Sequence, residues 1–211
     1  MAAPGGRREA SKQATRAALL AAAQEQFAAR GFEAATVRDI ATAAGVTERT
    51  FYRYFDGKEG LVSEEFTAWL DALHQAILER PAAEPPFTAV QRAMISLGRR
   101  AEGGPTAVPL WLFSTRSAVR SLRRTGPRPL LQLEASIAAA VLGRLAGGDG
   151  LPAAHAAGTP EYAARVISRV AVAALRSAMI EHRESRQPPR HRAGAPSLEE
   201  LLDQAFAIIA G

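Results

Sequence analysis

Between residues 47 and 58 the chain reads TERTFYRYFDGK, and the polar side chains of this stretch are of kinds that recognise rather than react. In a chain that is only 6% aromatic, Phe51, Tyr52, Tyr54 and Phe55 crowd together, interleaved with Arg49 and Arg53. A core uses the aromatic rings but not the guanidinium groups, so the segment has to serve two neighbours. On helical spacing Val46, Phe51 and either Tyr54 or Phe55 turn inward, while Glu48, Arg49, Tyr52 and Arg53 turn outward. Outward arginine and tyrosine suit duplex DNA. A helix fits the major groove, a guanidinium can donate two parallel hydrogen bonds to a guanine edge, and Thr or Tyr hydroxyls can bond phosphate oxygens. A solvated helix face accounts for any one of these residues taken alone, but not for their coincidence with a turn, two caps and a downstream lysine.

The elements that would hold this segment are short helices. Residues from about Ser11 to Arg30 place Ala18, Leu19, Ala22, Ala23 and Phe27 at helical spacing, with Gly31 positioned to end the helix. Thr36 followed by Asp39 predicts a capped helix start. The helix it opens runs to about Ala44, where Gly45 breaks it. Thr47 can cap a third helix through Phe55. Two short helices joined by a glycine-containing turn make a helix-turn-helix signal, in which Ile40, Ala44, Val46, Phe51 and Tyr54 can meet inward. Asp56 and Gly57 form a second turn before Lys58. Both Thr36 and Lys58 open helices that flank the candidate reading surface.

The stretch TVRDIATAAGVTERTFYRYFDGKEGLV resembles the DNA-binding signature of the TetR family of bacterial repressors, with the resemblance covering roughly residues 13 to 62. It implies a homodimer with an N-terminal three-helix DNA-binding domain and a C-terminal helical domain that binds a small effector. Carried over by position, it suggests Thr36, Thr47, Tyr52 and Lys58 as phosphate contacts and Arg49 and Thr50 as base readers, with Arg38 assisting and Arg53 at a position of variable chemistry. One departure is Gly57, which stands where the family often has a helix-capping Ser, Asn or Asp.

Beyond residue 62 no comparable signature is found. Val62, Phe66, Trp69, Leu70, Leu73 and Ile77 form the stripe of an amphipathic fourth helix ending near Arg80. Further helices are predicted near 87–102, 107–124, 127–146, 160–185 and 197–210, separated by Pro- or Gly-containing gaps, with loops at 147–159 and 187–196. The fold class is therefore all-α. Its expected domains are a flexible basic arm (1–10), the helix-turn-helix domain (11–57) and an effector-binding and dimerisation domain (58–211). Leu198, Leu201, Leu202, Ala205, Ile208 and Ile209, with Val166, Val170, Ala173, Ala174 and Ala178, offer a dimer surface on the last two helices; an internal core is the alternative use of the same residues. Candidate ligand residues are Phe66, Trp69, Leu73, Met94, Leu97, Trp111, Phe113, Leu133 and Ile137, each of a type that also serves as ordinary core. The row Arg116, Arg120, Arg123 and Arg124 fits either an anionic effector or a solvated face.

Composition excludes several other classes of function. The chain has 211 residues and is 47% hydrophobic, enough for a sizeable core, and it has no cysteine for disulfides, thiol catalysis or cysteine-ligated metals. Its net charge of +5 permits a nucleic-acid partner without requiring one, and its arginine-rich basic side reads first as genomic composition bias. His74, His155, His182 and His191 show no metal-ligand spacing, and neither a nucleophile elbow nor a nucleotide-binding glycine pattern occurs, so neither catalysis nor a cofactor is expected. No secretory signal or apolar run of membrane-spanning length is read, the most apolar segment being near 163–180. The expectation is a cytoplasmic, non-enzymatic repressor that binds a pseudo-palindromic operator as a dimer and is released by a small, largely apolar effector. A small-molecule sensor without control of DNA release, and an activator, are the alternatives.

Overall fold

The computed structural model describes residues 4–101, 129–147, 158–185 and 194–210. Within them every regular element is a helix: α1 (Pro4–Ala34), α2 (Val37–Ala43), α3 (Glu48–Tyr52), α4 (Lys58–Leu78), α5 (Pro86–Ala101), α6 (Pro129–Gly147), α7 (Pro160–Ser185) and α8 (Leu198–Ala210). The all-α expectation holds, and α4 to α8 fall within a few residues of the predicted spans. The predicted helix at 107–124, with Trp111, Phe113 and Arg116, lies outside the described residues, as do Arg120, Arg123 and Arg124.

Three sequence expectations are corrected. The first helix begins at Pro4, so residues 4–10 are helical rather than a frayed arm. Proline is well suited to a first helical position, where its missing N–H is no loss, and the Arg, Glu, Ala, Lys and Gln that follow are good helix formers. The third helix ends at Tyr52 rather than Phe55. Beyond it, Tyr54 and Phe55 close a turn by donating their N–H groups to the Phe51 carbonyl at 2.8 and 3.0 Å. Finally, among the described residues the helix long and apolar enough to cross a membrane by length and composition is α6, not the 163–180 segment. Its apolar side chains have a use inside the protein: Leu133, Ile137, Ala140 and Val141 are fully buried, and Glu134 on the same helix faces Arg169 of α7.

The described chain forms two compact units that divide within α4, between Phe66 and Thr67. In the first unit, Leu19, Ala23, Phe27 and Phe32 of α1, Ala35 just beyond it, Ile40 and Ala41 of α2, Phe51 of α3 and Leu61 and Val62 of α4 are shielded from solvent. Phe27 and Phe32 stack at 5.3 Å, and Phe51 and Phe55 at 5.7 Å between centroids. Burying large rings in so small a unit supplies most of its cohesion, at roughly 25 cal/mol per Å² of apolar surface removed from water.

The second unit buries Leu73 and Ile77 of α4, Ala89, Val90, Ala93 and Leu97 of α5, the apolar face of α6, Ala171 and Ala174 of α7, and Phe206 of α8. Small residues on α7 suit the close packing of that helix against both α6 and α8. Phe87 and Phe206 lock α5 to α8 with ring centroids 4.9 Å apart, and Gln91 donates to Asp203 between the same two helices.

Candidate nucleic-acid interface

The turn between α2 and α3 is built by local hydrogen bonds. Gly45 N–H donates to Thr42 O at 3.0 Å and Val46 N–H to Ala41 O at 2.9 Å, the two bonds of a Schellman helix end. That motif needs a left-handed residue, and Gly45 supplies it with φ 69°. The chain then reverses into α3, whose first turn is capped by Thr47: its Oγ1 accepts from Thr50 N–H at 3.2 Å and shares a hydrogen bond with Thr50 Oγ1 at 3.0 Å.

The start of α2 carries a complete capping box. Thr36 Oγ1 accepts from Asp39 N–H at 3.1 Å, and Asp39 Oδ2 accepts from Thr36 N–H at 3.2 Å and from the Thr36 hydroxyl at 2.7 Å. Those bonds from Thr36, together with the Arg30 charge, hold the Asp39 carboxyl below the usual carboxylate range. Arg30 reaches the same oxygen at 3.2 Å.

On α3 the two faces separate as the residue types require. Phe51 is fully buried, and Tyr52, whose ring meets Phe51 edge-on at 5.5 Å, is 55% exposed. Arg49 and, on α2, Arg38 are exposed. Phe55 rather than Tyr54 is the second buried ring of this segment. Arg53 closes α3 as its C-cap and folds back on its neighbour, with its guanidinium 5.3 Å from the Tyr54 ring centroid. The hydrogen bond from Arg53, then one from Thr15, and the charges of Arg53 and Lys12 favour the ionised form of the Tyr54 hydroxyl.

Two expected phosphate contacts are engaged inside the protein. Lys58 Nζ donates to the carbonyl oxygens of Phe32, Glu33 and Ala35 at 2.5, 3.2 and 3.0 Å, which occupies all three of its N–H donors. The Thr36 hydroxyl gives its proton to Asp39. Gly57, the departure noted in the sequence, has φ 153°, and a Cβ there would come within 2.9 Å of Glu59 Oε2. The turn into α4 takes a shape that disfavours the usual capping residues.

Sequence reasoning missed Arg16. It forms a two-bond ion pair with Glu64 of α4 and lies 5.3 Å from the centroid of the Phe55 ring, joining α1, α4 and the end of α3. Partners 48 residues apart leave no local signal. It also passed over Glu65, where a signal existed: a carboxylate lying on the apolar stripe of Val62, Phe66 and Trp69.

Of the expected ligand residues, Trp69 and Leu73 on α4, Met94 and Leu97 on α5, and Leu133 and Ile137 on α6 are all buried in the second unit. Ser136 Oγ donates to Leu70 O at 3.4 Å, tying α6 to α4 between these positions. Phe66, also buried, falls in the first unit with the helix-turn-helix.

A capped helix-turn-helix with an exposed Arg and Tyr on its second helix defines a nucleic-acid-recognition domain. The chain matches the family model described as bacterial regulatory proteins, tetR family, over residues 19–64. It is 34% identical over 115 residues to the HTH-type transcriptional repressor KstR2 of Rhodococcus jostii, a match covering 54% of this chain and 56% of that one. It is 38% identical over 99 residues to the HTH-type transcriptional regulator TcmR of Streptomyces glaucescens, covering 46% and 44%. The matches thus span about half the length of these curated relatives. The fold extends further: a crystal structure of a putative TetR-family transcriptional regulator from Rhodococcus sp. aligns over 94% of this chain and 97% of its own, with a TM-score of 0.63 at 18% identity.

Proposed function

We propose that the protein is a transcriptional repressor that binds a pseudo-palindromic operator as a homodimer and leaves it when a small, largely apolar effector binds the second unit. The observation that carries this reading is the division of α3: Phe51 fixes the helix from inside, while Arg49 and Tyr52 are presented outward between capped ends. Arg49 and Thr50 are assigned to base edges, with Arg38 assisting from α2, and Tyr52 and Thr47 to phosphates. Lys58 serves by holding the end of α1 under α4, and Arg53 by closing α3.

One short helix reads only part of a groove, so a second copy supplies the other half-site. Val166 of α7 and Ile208 and Ile209 of α8 are exposed apolar residues on the two helices assigned to that contact. The effector is assigned to the buried layer of Trp69, Leu73, Met94, Leu97, Leu133 and Ile137. It releases DNA only to the extent that it binds the non-binding conformer more tightly. Because α4 contributes residues to both units, it is the element through which that preference is expressed.

The test is selection of bound fragments from the genome that encodes the protein, followed by a screen for metabolites that release them. Enrichment of an inverted repeat, together with a metabolite that lowers its affinity, is the expected result. Absence of any preferred duplex at low ionic strength overturns the reading. A reporter placed behind the selected fragment distinguishes repression from activation.

A further inference from the structure

The amino-terminal half of α1 precedes the residues 19–64 matched to the family, and none of its side chains has been given a role in binding DNA. It presents a row of cations. Arg8 and Lys12 stand one turn apart, roughly 6 Å along the helix axis, and both are exposed. The next turn carries Thr15 and Arg16. Arg16 lies against Phe55, with its guanidinium 5.3 Å from the ring centroid, so this face of α1 adjoins the residues that immediately follow α3. Arg53, exposed at the end of α3, donates to the Tyr54 hydroxyl at 3.4 Å, whose ionised form the Lys12 charge also favours.

The charges on this face are not balanced. Arg16 is taken by Glu64, whereas Arg8, Lys12 and Arg53 have no ion pair among the described residues. Glu9, the carboxylate of the same turns, pairs with neither Arg8 nor Lys12. Exposed cations one turn apart on α1, together with the exposed Arg53 at the end of the groove-reading helix, gain from a polyanion.

We propose that Arg8 and Lys12 of α1, together with Arg53, form a second phosphate-binding surface that holds the DNA backbone beside the groove occupied by α3. The proposal rests on the DNA-binding reading above. Its chemistry is that of counterion release: each phosphate neutralised by a fixed cation frees condensed salt ions, raising affinity on every sequence and steepening its dependence on salt. Base preference stays with Arg49 and Thr50, and the face adds grip without adding specificity.

The experiment is fluorescence anisotropy of the full chain on a labelled random-sequence duplex over a series of KCl concentrations. Arg8→Ala combined with Lys12→Ala is expected to make the slope of log affinity against log salt shallower by about 0.9 for each phosphate left without its cation, or about 1.8 per bound protomer. The charge-conserving pair Arg8→Lys and Lys12→Arg is expected to keep the wild-type slope, and Arg176→Ala, an exposed cation of α7, to leave it unchanged. Circular dichroism establishes that α1 remains helical in each variant. An unchanged slope in the double-alanine variant, with wild type binding normally, overturns this proposal alone. Failure of wild type to bind any duplex overturns the DNA-binding reading and this proposal with it. Loss of binding to phosphatidylglycerol vesicles with no change on DNA assigns the face to a lipid surface, and the proposal falls.

Discussion

The Lys58 ammonium lies 4.5 Å from the centroid of the Phe32 ring while donating to the backbone carbonyl of the same residue. It satisfies three carbonyls at the end of α1 that have no helical partner, and it joins the first turn of α4 to that end. Charged hydrogen bonds of this kind contribute about 1.5–3 kcal/mol. Lys58→Met is therefore expected to lower unfolding stability by about 2 kcal/mol in urea denaturation. Its salt dependence on random-sequence DNA is expected to match wild type. A change in salt slope without a change in stability would return Lys58 to the phosphate contacts.

The cap at Thr36 combines two reciprocal bonds, so Thr36→Ala is expected to cost about 1 kcal/mol of stability. The partner carboxylate adds a pH signature. Because Asp39 is held below its ordinary value in the fold, its contribution is fully present above the unfolded value of 3.8 and is lost as pH falls through the folded value. Urea midpoints of wild type and Thr36→Ala are expected to converge at acid pH and to separate toward neutrality. A constant separation throughout would mean that the carboxylate takes no part.

The features legible in the sequence were those whose partners lie within a few residues. Thr36 with Asp39, Thr47 with Thr50, and Gly45 with Val46 are local devices, and each forms in the structure as its residue types require. The length of α3 was not legible, because Arg53, Tyr54 and Phe55 are compatible with a helix; the chain leaves it because Phe55 is buried and Arg53 caps. Nor was the destination of Lys58 or Arg16, whose partners come from other helices. For the ligand layer, sequence identified apolar helix faces, and the described positions are indeed buried. Burial alone does not separate a ligand wall from a core.

Arg144 of α6 donates to four carbonyl oxygens at the end of α4 and in the turn to α5: Ile77 at 3.2 Å, Arg80 at 2.7 Å, Pro81 at 2.7 Å and Glu84 at 3.0 Å. Around it, Glu84 is paired with Arg80 and Arg92. A planar fork can serve several acceptors where a single ammonium cannot. Arg144→Lys is therefore expected to lose about 1–3 kcal/mol, read as a lower urea midpoint, despite keeping the charge. A midpoint equal to wild type would show that charge alone is sufficient there.

Ile208 is 82% exposed on α8, and Val166 and Ile209 are also open to solvent. In the proposed dimer these residues are covered. Ile208→Asp leaves the monomer's core intact, since Phe206, Leu201 and Leu202 are the buried residues of this helix. The expected outcome in sedimentation is a shift from dimer to monomer with helicity by circular dichroism retained. Operator affinity should fall more steeply than affinity for random DNA, because two linked half-sites are read by the dimer. A variant that remains a dimer would remove this face from the interface.

Glu65 occupies the apolar stripe of α4 and is almost wholly buried. Burial raises its carboxyl to about 8; the nearby Gln24 side chain opposes the rise, and the Glu64 charge adds to it. Between the ordinary value of 4.5 and about 8 the folded chain holds a proton that the unfolded chain has lost. Stability therefore falls as pH rises through that window, by at most about 1.4 kcal/mol per pH unit, and levels off above it. Glu65→Gln keeps the shape and hydrogen-bonding capacity of the protonated acid and removes the titration. It is expected to be more stable than wild type at alkaline pH, with the difference shrinking as pH falls toward 4.5. Each kcal/mol corresponds to about 2–4 °C in Tm for a chain of this size. If both proteins lose stability equally between acid and alkaline pH, the titrating group lies elsewhere.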